Sequence, residues 1–250
     1  MSSNRLVEQV ESALYRSWPA RELREYDGWQ LRYADGFSRR VNSVYPTAVS
    51  TVDYDAKLAL CREWYQKRGL ELIVRQTPAT EPGLDAVLVD RGYEMEGRTD
   101  VMVADLEGIA GTDVMPVVPT VDWWETMANL WEIGPDRAPG WRGIIGRIDL
   151  PAAYGLVSVA STPAAVGLAV VAADLLGLFE IIVAPGHRLQ GLGHSFTRSL
   201  MAWGKSKGAT RAYLQVLEDN NPAISMYEQL GFHHEYSYWY RRAPLVDRGE

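Results

Sequence analysis

The sequence has a single cysteine, Cys61, in 250 residues. One cysteine excludes an intramolecular disulfide and a thiolate zinc site, and reads as a reduced, cytoplasmic protein. Positive charge is also scarce: 25 lysines and arginines stand against 32 aspartates and glutamates, a formal charge of −7. Binding along a nucleic-acid backbone needs clustered positive charge, so no nucleic-acid partner is expected. The acidic balance leans toward a cationic or neutral small substrate. Long hydrophobic runs are missing too. The most apolar stretch, Ala164 to Val183, is interrupted by Asp174 and Glu180 and punctuated by Gly167 and Gly177. A membrane helix needs about 20 predominantly apolar residues, so this stretch reads as two adjacent buried strands and no membrane partner is expected. Met1 to Gln9 carries Arg5 and Glu8 and lacks the apolar core of a signal peptide.

What is present is an ordinary globular composition, 47% hydrophobic and 23% charged, in a chain long enough for one large domain or two small ones. Val7, Val10, Leu14 and Trp18 recur at helical spacing and end at Pro19. Asp27-Gly28 makes a turn into a strand, Trp29 to Tyr33. A helix (Asp55 to Arg68) carries Leu58, Cys61 and Tyr65 on one face, which makes Cys61 a small core residue. A strand (Leu70 to Arg75), a helix (Leu84 to Arg91) and a long strand (Tyr93 to Leu106) complete the first half. Glu107 to Pro119, broken by Gly108, Gly111 and Pro116, is the expected boundary. Helices follow at Asp122 to Trp131 and Trp141 to Ile148. Strands are expected at Tyr154 to Ala160, Ala165 to Ala173 and Leu178 to Val183. A helix (Gly191 to Lys207), a strand (Ala212 to Val216), a helix (Pro222 to Leu230) and a strand (His234 to Tyr240) end the chain. This order predicts an α/β (α+β layered) fold with a mixed, largely antiparallel sheet. Leu88-Val-Asp-Arg-Gly92-Tyr93 is echoed by Tyr227-Glu-Gln-Leu-Gly231-Phe232, as two units of one fold in tandem would produce.

The chemistry-bearing segment is the strand Leu178 to Val183, a short loop, and Arg188-Leu-Gln-Gly191-Leu-Gly193 opening a helix. Unpaired backbone N–H groups and the positive end of the helix dipole suit a pyrophosphate there. Gly191 and Gly193 let the backbone approach it. They are equally explained by a tight strand-to-helix turn. No Gly-Lys-Ser/Thr marks a nucleoside-triphosphate loop, and the three glycines of a dinucleotide fingerprint are missing. Downstream, Asn220-Asn-Pro-Ala223-Ile-Ser-Met-Tyr227-Glu-Gln-Leu-Gly231-Phe232 adds a second motif, with Asn221 as helix cap and Pro222 in the first turn.

Together, Arg188-x-x-Gly191-x-Gly193 and Asn220-x-x-Ala223-x-x-x-Tyr227-x-x-x-Gly231-Phe232 resemble the two signature motifs of the GNAT N-acetyltransferase superfamily. The resemblance covers roughly Val114 to Arg242. It implies two GNAT-like domains, a degenerate one over 1–108 and an acetyl-CoA-binding one over 114–250. The first half has no Gly-x-Gly loop and carries Leu88 where the second carries Tyr227; it is expected to serve as scaffold or to face the substrate. The implied reaction is direct attack of a primary amine, on a small molecule or a peptide, on the thioester of acetyl-CoA.

By the same resemblance, Ile182 and Val183 splay from the neighbouring strand and bind the pantetheine arm. Arg188, Leu189, Gln190, Gly191, Leu192, Gly193 and His194 cradle the pyrophosphate, mainly through main-chain N–H groups, and Asn220 contacts the arm. Tyr227 lies near the sulfur and protonates the leaving thiolate. A thiol pKa of about 8.5 makes that anion a tolerable leaving group, so losing Tyr227 reduces the rate rather than abolishing it. The alternative for Tyr227 is a packed helix residue. Glu180, the only charge between Leu175 and Ala184, is the candidate general base. Desolvation among Leu178, Phe179, Ile181 and Ile182 is expected to raise its pKa. The alternative is a strand carboxylate satisfied by arginine or backbone donors. Arg39-Arg40-Val41-Asn42-Ser43 reads as a solvated loop, with a cleft lining as the alternative. Of Trp123, Trp124, Trp131 and Trp141, at most one is expected to wall a substrate cleft. His233 and His234 point to opposite faces of a strand, and no metal is expected. A homodimer is possible through a strand left exposed at the sheet's end. The rival function is a non-catalytic acyl-CoA-binding sensor or regulatory module.

Overall fold

The computed structural model describes residues 2–110 and 118–244. Helix α1 (Ser2–Ser17) buries Val7, Val10 and Leu14, with Trp18 sealing its end. A hairpin of β1 (Glu22–Tyr26) and β2 (Trp29–Tyr33) turns at Asp27 and Gly28, both left-handed. Next come β3 (Val44–Pro46), α2 (Tyr54–Gln66), β4 (Ile73–Gln76), α3 (Leu84–Asp90) and β5 (Glu94–Asp105). Of the expected boundary, residues 111–117 lie outside the described residues. The second part runs α4 (Val121–Leu130), α5 (Ala138–Gly146), β6 (Ala152–Val159), β7 (Thr162–Ala172), β8 (Leu175–Val183), α6 (Leu192–Ser206), β9 (Arg211–Leu217), α7 (Asn221–Gln229) and β10 (His233–Arg242). The expected helices and strands fall close to their predicted places. The apolar stretch from Ala164 to Val183 is indeed two paired strands, β7 and β8. Sequence reading missed β1, which is polar and largely exposed, and β3, only three residues long.

All ten strands form one sheet in the order β1-β2-β3-β4-β10-β5-β9-β8-β7-β6. It is mixed and largely antiparallel; the parallel pairs are β3 with β4 and β8 with β9. The last strand of each part lies in the other part's ladder. β5 sits between β9 and β10, and β10 sits between β4 and β5. The sheet therefore continues across the expected boundary without a break.

Strand alternation feeds two faces. Val101 and Val103 of β5 and Ile73 of β4 join α1, α4 and α5 in one core. Met102 and Ala104 face the opposite way into a core under α6 and α7, and Val74 of β4 into a third under α2 and α3. Cys61 is in that third core, where burial pushes its thiol up to about 12, as an inert core residue requires. Both α3 and α7 end in the same way. Gly92 and Gly231 are left-handed, and Tyr93 and Phe232 donate their N–H groups back to Leu88 and Tyr227 at 3.0 Å. Among the described residues no helix is long and apolar enough to cross a membrane.

Candidate active site

The site forms where β8 leaves β9. The two strands pair in parallel from Leu175–Arg211 to Leu178–Leu214 and no further. Beyond Leu178, β8 stays on β7, with Ile182 opposite Val166 and Val183 opposite Ala165, while β9 stays on β5. The ladder between β7 and β8 slips at this point, so that two residues oppose one. Glu180 takes a left-handed φ of 52° there. Gly167 sits across from the bulge, where a Cβ would come within 3.1 Å of Ile181. The indole N–H of Trp123 holds the Gly167 carbonyl at 3.1 Å and ties α4 to the bulge. Ile182 and Val183 thus have no partner on the β9 side, as a splay requires, and the lining of the opening reaches Ile181 but neither of them.

The opening is a cleft of about 590 Å³ whose lining includes Glu180, Tyr227 and Asn220. Tyr227 is 9% exposed, and burial pushes its phenol up to about 12. It packs edge-on against Phe232, so the cleft-facing and packed alternatives are both satisfied at once. Asn220, not Asn221, caps α7: its side chain accepts from the Ala223 N–H at 3.4 Å. Asn221 is the first helical residue, and Pro222 follows in the first turn.

At the far end of β8, a short 3-10 turn over Pro185–His187 leads into α6. The helix opens at Gly191, left-handed at φ 77°, with no side-chain cap. Its first-turn N–H groups are therefore offered outward, as an anion needs. A Cβ on Gly191 would meet nothing within 4 Å, so only its backbone angle demands glycine. Gly193 differs, because a Cβ there would stand 2.9 Å from the Met226 sulfur of α7 and 3.4 Å from Val183. Helix packing, not only room for a phosphate, requires it. Leu189 is fully exposed and left-handed at 59°, Gln190 is exposed, and Leu192 and His194 are half-buried. The Arg188 side chain turns back to the Val183 carbonyl at 3.0 Å.

Glu180 is not isolated among apolar neighbours, contrary to expectation. Arg40 lies 3.2 Å from its carboxylate, and the Trp131 indole approaches its carbonyl at 3.5 Å. Burial alone would lower the Arg40 pKa, but the Glu180 carboxylate and nearby tyrosines outweigh it and hold it above the ordinary arginine value. The Arg39–Ser43 run divides: Arg39 and Arg40 line the cleft, while Val41, Asn42 and Ser43 are buried. Among the four tryptophans, Trp131 lines the cleft; Trp123 and Trp141 stack in the core with Trp124 against them. Sequence reading missed Phe37 and Arg137, from two loops, and Tyr238 and Tyr240 of β10. The period-two run of Tyr236, Tyr238 and Tyr240 was the available signal for the tyrosines. The cleft lining holds three arginines and one carboxylate, opposite in sign to the whole chain. Among the described residues no cluster of histidine, cysteine and carboxylate side chains could hold a metal ion.

Residues 6–240 match the family model described as "Probable histone acetyltransferase Rv0428c C-terminal". The chain belongs to this family of GNAT N-acetyltransferases. It is 29% identical to "Uncharacterized N-acetyltransferase YobR" of Bacillus subtilis over 235 residues, 90% of this chain and 94% of that one. Two solved structures share its GNAT fold. A "GCN5-related N-acetyltransferase from Kribbella flavida" superposes with a TM-score of 0.72 at 16% identity, covering 98% of this chain and 97% of that one. A "Tandem GNAT protein from the clavulanic acid biosynthesis pathway" gives 0.62 at 16% identity, covering 82% and 76%.

The loop between β3 and α2, like that between β8 and α6, joins the first strand of a parallel pair to a helix. Here the N–H groups of Ser50, Thr51, Val52, Asp55 and Ala56 are taken by carboxylates. Asp53 caps α2 by accepting from Asp55 and Ala56 at 3.0 and 3.2 Å. Asp27 accepts from Thr51 and Val52 at 2.9 and 3.0 Å, and Glu81 from Ser50 at 2.7 Å. Buried Lys57 closes the group on Asp27 at 2.9 Å. Hydrogen bonds from Thr51 and Lys57 hold the Asp27 carboxyl far below the usual range.

Proposed function

We propose that this acetyltransferase moves the acetyl group of acetyl-CoA onto a primary amine by direct attack on the thioester, in the second part of the chain. The carrying observation is that one strand, β8, has a splayed cleft beside it, lined by Glu180 of its bulge and Tyr227 of α7, and an uncapped helix N-terminus at its end. The donor set fits acetyl-CoA. First-turn N–H groups of α6 suit a pyrophosphate, and the edge of β8 that lacks a β9 partner suits the amides of the pantetheine arm once Arg188 leaves the Val183 carbonyl for the phosphates. Leu189 to His194 and Arg188 would hold the phosphates, and Asn220 would face the arm.

Acetyl-CoA supplies an activated acyl group, and the chain's own residues orient and exclude water. Glu180 takes the proton that the ammonium must lose before its nitrogen attacks the thioester carbon, with Arg40 fixing its carboxylate; the C–S bond breaks, and the thiolate leaves and takes up a proton from solvent. Tyr227 donates a hydrogen bond to the sulfur as charge develops. Full proton transfer from a phenol near 12 to a thiolate near 8.5 runs uphill by about 5 kcal/mol, so hydrogen bonding is its main contribution. Matching α3 and α7 ends, parallel strand pairs and exchanged final strands support reading the chain as two GNAT-like domains, 1–108 and 114–250, the first without a cofactor site.

The test is calorimetric titration with acetyl-CoA beside an assay of thiol release over an amine panel. Gly191→Glu is the informative variant, because the added side chain meets open space yet carries a negative charge into the loop. Loss of binding with an intact fold is expected. Unchanged acetyl-CoA affinity in the variant refutes the cofactor assignment. Wild-type binding without thiol release from any amine would instead identify a sensor.

A further inference from the structure

We infer that the acceptor is a zwitterion: a primary amine that also carries a carboxylate or phosphate, whose anionic end is taken by Arg137 and Arg39 while its ammonium faces Glu180. This rests on the acetyl-transfer reading of the same cleft. The cleft is bipolar. Its one carboxylate stands at the β8 bulge, where β8 parts from β9, and its three guanidiniums come from two loops over that bulge. Two of the three are already engaged. Arg40 is paired with Glu180 at 3.2 Å, and Arg39 with Glu96 at 3.2 Å. Glu96 also accepts from Arg242 at 2.8 Å, so Arg39 shares its carboxylate with a second cation.

Arg137 is different. It is exposed, and its contacts are the Phe37 carbonyl at 3.2 Å and the Phe37 ring at 4.9 Å. Among the described residues no carboxylate lies within ion-pair reach of it. Its guanidinium lies over the Phe37 ring at the cleft wall with one nitrogen on the Phe37 carbonyl, and the N–H groups that remain are donors of the kind carboxylate and phosphate accept. A polycation would meet three like charges on entry, and its excess positive charge would find one carboxylate that Arg40 already shares. The charge of the cleft thus argues against the cationic acceptor that the net charge of −7 suggests.

The experiment measures kcat/KM at saturating acetyl-CoA for amines paired by charge. L-leucine and L-phenylalanine are compared with their amides, phosphoethanolamine with ethanolamine, and spermidine is added. Calorimetric binding of the same compounds to the coenzyme A-loaded protein is run beside it. At least one anionic amine is expected to exceed its neutral counterpart by about tenfold or more, the ratio for one charge-assisted pair. The carboxylate and phosphate arms identify which anion is read. Arg137→Gln is expected to collapse that ratio toward one through KM, and Arg137→Lys to restore it in part. Equal use of acid and amide, preference for spermidine, no binding of any anionic amine, or a ratio unmoved in Arg137→Gln overturns the inference. Preferential binding of the anionic amine without thiol release keeps the anion site and overturns the transfer reaction instead.

Discussion

Cutting the chain between residues 113 and 114 separates the two parts without touching the catalytic motifs, yet the 114–250 piece is expected not to fold. The reason is β5, which fills the place between β9 and β10 and belongs to the other piece. Val101, Met102, Val103 and Leu106 are each 3% exposed or less, divided between the cores on the two faces of the sheet. Burying four such side chains contributes roughly 1.5–3 kcal/mol apiece, or roughly 6–12 kcal/mol together. That equals the whole stability of an ordinary domain, about 5–15 kcal/mol. The cut also opens one edge of β9 and, because β4 goes with β5, both edges of β10, which invites aggregation. The 114–250 piece expressed alone is therefore expected to be insoluble or to melt without cooperativity. Co-expressed with 1–113 it is expected to recover as a complex that binds acetyl-CoA. A soluble 114–250 piece with a sharp melting transition and full-length affinity for acetyl-CoA would refute the reasoning.

Tyr227→Phe removes one hydrogen bond to a developing charge, so kcat is expected to fall about tenfold to a hundredfold with the acetyl-CoA KM little changed; an unchanged kcat excludes the role. The folded state holds the Tyr227 proton up to about 12, above the unfolded value of about 10. Its contribution to stability is thus complete below pH 10 and is lost as pH rises from there to 12. Urea unfolding at pH 9 and pH 11.5 is expected to show this loss in wild type and less of it in Tyr227→Phe. Glu180→Gln keeps the shape of the bulge and removes the negative charge and the base, so a drop of about a hundredfold in kcat/KM for the amine is expected, with acetyl-CoA affinity retained. Parallel losses of both would make the residue structural. In α6, a Cβ on Gly204 would lie 2.5 Å from the Leu176 side chain. Gly204→Ala is expected to cost about 1–3 kcal/mol by overpacking and to lower the melting temperature by several degrees; an unshifted melt contradicts the packing.

The second part of the chain was largely legible because its signals are local. Gly191 needs a left-handed angle, Asn220 and Pro222 open a helix, and Gly231 closes it, all within a few residues of each other. The strand exchange was not legible, because nothing in the pattern of Glu94 to Asp105 says which neighbours it pairs with. For Glu180 the structure bears out the alternative of an arginine-satisfied carboxylate, but which arginine was not legible. Its partner Arg40 is 140 positions away in sequence, beyond the reach of any periodicity. Arg137 follows no motif at all, and matters only because Phe37, from a loop 100 positions earlier, lies against it.

The carboxylates of Asp27, Asp53 and Glu81 give the first part an internal tenant. Backbone donors of the loop before α2 are occupied by the protein's own anions, with Lys57 as counter-ion. No single substitution vacates the loop, since each carboxylate holds a different set of donors. The chain is thus expected to titrate with one equivalent of acetyl-CoA rather than two.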